Sequence, residues 1–170
     1  YKGEVALTEL KGLSLVRQGR YEEALTYLQN AKKTFNSRRF KKDALENITV
    51  ATTKAQRLVG SSARSQLFRY AEEGKALPLY EALKQQAFDA FATHYARLHS
   101  AMSLNHVEEA EESAMALLDP AFKDSLTTLD RADCIETLIQ CYIFKGKWTQ
   151  LATLLSQAEN TEGIDTTRLS

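Results

Sequence analysis

Apolar residues recur along this chain at intervals of three and four, the period of one helical face. Val5, Leu10, Leu13 and Val16 predict a helix over residues 4–17, and Ala24, Leu25, Leu28, Ala31 and Phe35 a second over 21–35. Residues 36–43, NSRRFKKD, are polar and basic and predict a connection. Ala44, Ile48, Ala51, Ala55 and Leu58 continue the pattern, and Gly60-Ser61-Ser62 stops it, with a serine placed to cap the next helix. That helix carries Ala63, Leu67, Tyr70 and Ala71 and ends at Gly74.

Tyr80, Leu83, Ala87, Phe91, Tyr95, Leu98 and Met102 follow without a glycine, proline or capping cluster between Leu79 and Leu104. The pattern predicts one long central helix over residues 77–103, about 40 Å at about 1.5 Å per residue. The alternative is a break near Asp89. Leu104-Asn105-His106 predicts a turn, residues 107–118 a short helix closed by Asp119-Pro120, and residues 121–128 a connector. Helices over 130–145 and 148–158 flank Lys145-Gly146-Lys147. The polar stretch 160–170 has no period and is expected to fray, leaving residues 1–159 as the folded domain.

One spacing organises the rest. Gly12, Leu15, Gly19, Tyr21, Ala24, Leu28 and Ala31 are separated by three, four, two, three, four and three residues. Small residues at Gly12 and Ala24 let two helices approach closely, and Gly19 supplies the positive φ that ends the first. The same intervals return at Leu98, Ala101, Asn105, Val107, Ala110, Ala114 and Leu117, and at Ile139, Tyr142, Gly146, Trp148, Leu151, Leu155 and Ala158. Leu67, Tyr70, Gly74, Ala76, Leu79 and Leu83 fit them in a register that competes with the long helix. Pairing eight helices into four hairpins favours the long helix.

This pattern resembles the tetratricopeptide-repeat family. The resemblance implies an all-α fold, a right-handed solenoid of about four antiparallel helical hairpins, because one hairpin alone cannot bury its apolar face. It also implies a non-enzymatic scaffold or adaptor that holds a peptide or amphipathic helix of a partner protein on its concave face. Several family members clamp acidic chaperone tails with Lys and Asn. The matching positions here, Glu9, Leu13, Tyr95, His99, Glu136 and Gln140, contain neither, so that clamp is absent. The expected groove is mixed apolar and polar: Leu13, Val16, Arg17, Tyr95, His99, Met102, Gln140, Ile143 and Phe144.

Composition narrows the classes. The 22 basic and 22 acidic residues cancel, which removes the simplest electrostatic case for a nucleic-acid partner. Locally, Lys32, Lys33, Arg38, Arg39, Lys41 and Lys42 concentrate six cations. They form the alternative site, a patch for a polyanion such as RNA or anionic lipid, although only Phe35 and Phe40 interleave them. His94, His99 and His106 have no metal spacing, and no Gly-rich phosphate loop, nucleophile elbow or HExxH pattern occurs. Neither catalysis, a cofactor nor a metal is expected. Cys134 and Cys141 lie seven apart on one predicted helix, too far along its axis to bridge, and read as reduced core residues. No run of 18 apolar residues exists to span a membrane. A cytoplasmic setting is expected, as a subunit of a larger complex; the chain opens on Tyr1 rather than Met, which reads as a trimmed end.

Overall fold

The computed structural model describes residues 2–158. These form helices joined by turns and short extended links, with no strand among them, and the chain divides into two compact units, Tyr1–Glu73 and Gly74–Ser170. The expected fraying of residues 160–170 lies outside the described residues. Among those described, no helix is long and apolar enough to cross a membrane.

The first unit holds α1 (Lys2–Arg17), α2 (Tyr21–Ser37), α3 (Glu46–Leu58), which follows a 3-10 turn at Lys42–Leu45, and α4 (Ala63–Glu72). Helix α1 packs on both α2 and α3, and α3 on α4. Close approach of α1 and α2 requires Gly12: a Cβ there would lie 2.4 Å from Leu28 Cδ2. Val5, Phe35, Leu45 and Ile48 fill the centre, with Ala31 and Phe40 against them. The Leu58 carbonyl that closes α3 and the Gly60 carbonyl just beyond it are both taken by Arg69, whose guanidinium donates to them at 2.9 Å and 2.7 Å. Ser62 caps α4 by accepting from the Ser65 amide.

The second unit holds α5 (Ala76–Gln85), α6 (Ala90–Ser100), α7 (Val107–Leu117), α8 (Thr128–Lys145) and α9 (Trp148–Ala158), each packed on the next. The long helix expected over 77–103 is therefore two helices. Gln86 is extended (φ −155°, ψ 160°), and Asp89 caps α6 by accepting from the Ala92 amide at 3.2 Å. The apolar period runs on across this break, but Ala87, one of its steps, is exposed, while neighbouring Phe88 is half-buried. Alanines 101, 110 and 114 bring the helices around the α6–α7 turn together, with Cys141 of α8 in the same cluster as Ala101 and Ala110.

The turn at the centre of each spacing match is built the same way. Gly19 (φ 77°), Asn105 (φ 62°) and Gly146 (φ 68°) are all left-handed. In each, the central amide donates to the carbonyl three residues back, and the next amide to the carbonyl five residues before it: Arg20 to Leu15, His106 to Ala101, Lys147 to Tyr142. Arg39 (φ 59°) ends α2 with the same pair of bonds. Gly74 is left-handed too, at φ 69°, between α4 and the short helix that follows.

Candidate functional site

Helices α6 and α8 flank an open cleft of about 260 Å³. Leu98 and His99 line it from α6, and Asp133, Glu136, Thr137 and Gln140 from α8. On α8 the positions 133, 136, 137, 140 and 144 share one helical face, so the stripe runs on to Phe144, which is 74% exposed. Ile143 and Trp148 are exposed on the same turn between α8 and α9.

The start of α8 is held by a reciprocal cap. Thr127 Oγ1 accepts from the Asp130 amide at 3.1 Å, and Asp130 Oδ2 accepts from the Thr127 amide at 3.0 Å. Tyr95 of α6 donates its hydroxyl to the other carboxylate oxygen of Asp130 at 3.2 Å. That bond ties α6 to the start of α8, the two helices that flank the cleft, between side chains that are both 1% exposed. Further along, Glu111 of α7 accepts from Lys145 at 2.9 Å and Lys147 at 3.3 Å, fixing the α8–α9 turn. Burial alone would raise the Glu111 carboxyl, but the hydrogen bonds from the two lysines outweigh it and hold it below the ordinary range.

Of the nine expected groove positions, the structure brings His99 and Gln140 together in the cleft, with Phe144 further along the same face of α8 and Ile143 exposed beside it. Tyr95, expected to line the groove, is instead buried at 1% exposure, its ring packed against Phe91 and His99 and its hydroxyl engaged by Asp130. Met102 is half-buried in the cluster of Ala101 and Cys141. Leu13 and Val16 lie in the core of the first unit, and Arg17 is exposed at the end of α1. Asp133 was missed, and Glu136 entered only as a position without the clamp's Lys or Asn. The signal for an acidic lining was available, since both lie on the same predicted face as Gln140.

Other candidates resolve into structure. Lys33, Arg38, Arg39, Lys41 and Lys42 are exposed and Lys32 half-buried. A larger cleft of about 480 Å³ in the first unit is lined by the Gly19–Glu23 turn, Leu58, Val59, Gly60 and Arg69. Two of its charged side chains are engaged: Arg20 pairs with Glu23, and Arg69 donates to the Leu58 and Gly60 carbonyls. His94 bonds Ser113 Oγ at 3.2 Å, and burial lowers its pKa. Cys134 and Cys141 are buried free thiols; burial pushes Cys134 up to about 12 and raises Cys141 as well, so neither is a ready nucleophile. Among the described residues, no group of three His, Cys, Asp or Glu is placed to hold a metal ion.

No family model, curated protein or solved structure matches this chain.

Proposed function

We propose that the chain is a non-enzymatic helical-repeat scaffold of the tetratricopeptide type, and that the α6–α8 cleft holds an extended or helical segment of a partner protein. The repeated turn at Gly19, Asn105 and Gly146 supports the repeat reading and its finer form, a solenoid of helical hairpins. The observation that carries the function is the α8 stripe from Asp133 to Phe144, facing His99 across an open cleft. Carboxylates at one end and an exposed aromatic ring at the other select a segment with a cationic side chain followed by an apolar one. An acidic chaperone tail is the wrong partner for such a lining.

A displayed library of random peptides, selected on the protein, tests this directly. Wild type should enrich peptides that pair Lys or Arg with an apolar residue. Phe144→Ala should weaken binding of an enriched peptide by about tenfold or more, the ordinary effect of truncating an aromatic anchor. Glu136→Lys should turn the preference away from cations. If selection enriches nothing, or both variants bind as wild type does, the cleft is not the binding site.

A further inference from the structure

The first unit carries 14 Lys and Arg against 8 Asp and Glu, a net +6, and the second 8 against 14, a net −6, so the neutral total hides two opposed charges. On the first unit the cations meet an apolar strip. Helix α1 buries Val5, Gly12, Leu13 and Val16 on one side. The opposite side is Gly3, Leu7, Leu10 and Ser14, with Leu7 69% and Leu10 59% exposed. Glu4 and Lys11 lie seven apart on one flank of that strip. Glu4 accepts from Arg38 at 2.7 Å, which brings the basic loop of Arg38, Arg39, Lys41 and Lys42 alongside.

Two exposed leucines alone, or a few cations alone, are ordinary surface. Together on one face they have the composition of an interfacial helix: apolar side chains to enter the acyl boundary and cations to meet phosphate headgroups. We propose that this face of the first unit docks on an anionic lipid surface, with Leu7 and Leu10 inserted and Arg39, Lys41 and Lys42 on the headgroups. A single-stranded nucleic acid is a poorer occupant. It needs free aromatic faces, but Phe35 is buried, Phe40 stacks on it with ring centroids 4.9 Å apart, and the Arg38 guanidinium lies 4.9 Å from the Phe40 ring. A duplex would leave the leucines idle. A second copy presenting the same face would bring like charges together. Arg39 adds an independent sign: it holds the left-handed position that ends α2, where glycine is the unstrained choice, so a cation stands there against a conformational cost.

The test is flotation of the purified protein with phosphatidylcholine vesicles, with and without phosphatidylserine. The protein should bind only the serine-containing vesicles. Each cation is worth about fivefold in affinity near such a surface, so Arg39→Gln with Lys41→Gln and Lys42→Gln should lose about 100-fold. Leu7→Asn with Leu10→Asn should lose at least about tenfold, and this loss should persist at high salt, where the electrostatic share is screened. All five positions are exposed, and an unchanged melting temperature confirms folding. Equal binding to both vesicle types overturns the proposal, as does wild-type binding by the leucine variant. Tighter binding to duplex RNA through the same cations also overturns it, as does a dimer that the leucine variant dissolves. None of these outcomes touches the α6–α8 cleft.

Discussion

Helices α1 and α2 of the first unit and α6 and α7 of the second share a turn but not a seam. Both pairs turn through a left-handed residue, Gly19 or Asn105, with the same backbone bonds around it. At the first and sixth positions of the spacing, however, the sizes are exchanged. The first pair has Gly12 beneath Leu28; the second has Leu98 with Ala114, both buried. Close helix approach needs one small partner, and it does not matter which helix supplies it. The surfaces diverge further, one unit net basic and the other net acidic. A common backbone device thus carries two different surface chemistries, basic-apolar on α1 and acidic-aromatic on α8.

The largest expected effect strikes the seam. A Cβ on Gly12 would meet Leu28 Cδ2, Cγ and Cδ1 at 2.4, 2.6 and 2.9 Å, and Leu28 is fully buried with nowhere to go. Gly12→Ala should cost about 1–3 kcal/mol of stability, measured by denaturant melts. Gly12→Leu combined with Leu28→Ala imports the arrangement of the second unit, and should be more stable than the sum of the two single changes implies. Strict additivity would break the correspondence between the pairs.

That seam was legible in the sequence because it depends on residue type at fixed spacing. So were the turns, since glycine and asparagine are the residues that reach positive φ at little cost. The break in the middle of the chain was not. Residues 86–89 contain no glycine or proline, and the apolar period passes through them; only Asp89 ahead of Ala90 and Phe91 marked a helix start, and a lone aspartate competes poorly with an unbroken period. The true start of α8 was hidden similarly, in Thr127 and Asp130, a capping pair that reads as connector until the reciprocal bonds are seen. Tyr95 misled for a different reason. Periodicity places it on a face, but whether that face meets α8 or solvent depends on tertiary packing, and the Asp130 carboxylate it bonds is 35 residues away. The acidic cleft lining and the opposed unit charges were both present in the sequence, masked by a total of zero.

The ion pairs offer a middle-sized test of the same contrast. The first unit ties α3 to α4 through one largely buried pair, Lys54–Glu72 at 3.2 Å, whereas the second gathers Lys145 and Lys147 on Glu111. Glu111 has a folded pKa below its ordinary 4.5, so its stabilising contribution is present above that value and is lost as pH falls through the lowered one. Lys145, raised to about 12 by hydrogen bonds to Glu108 and Glu111, contributes below its ordinary 10.5 and loses that contribution as pH rises through about 12. Glu111→Gln should lower the melting temperature by about 2–4 °C at neutral pH, for a loss near 1 kcal/mol in a chain of this size. The gap from wild type should close as the pH is brought below the carboxylate range. A gap that stays constant into acid would mean that the loss comes from packing rather than charge.

The smallest expected effect is a gain. Arg39 and Asn105 both sit in the left-handed region, at φ 59° and 62°, the first in the basic unit and the second in the acidic one. Asparagine tolerates that conformation through its short polar side chain, while arginine has no such relief. Arg39→Gly should therefore raise stability by about 0.5–1 kcal/mol, and Asn105→Gly by less. Set against the converse change, Gly146→Ala, which should cost about 1 kcal/mol at φ 68°, the series isolates backbone strain from side-chain contacts, since all three positions are exposed. The gain at Arg39 also gives the comparison of units its sharpest form. If Arg39→Gly stabilises the fold and lowers affinity for serine-containing vesicles by about fivefold, the strain at that turn is held in exchange for a cation on the α1 face. If it stabilises the fold and leaves vesicle binding unchanged, the strained arginine has no part in docking, and the basic loop contributes through Lys41 and Lys42 alone.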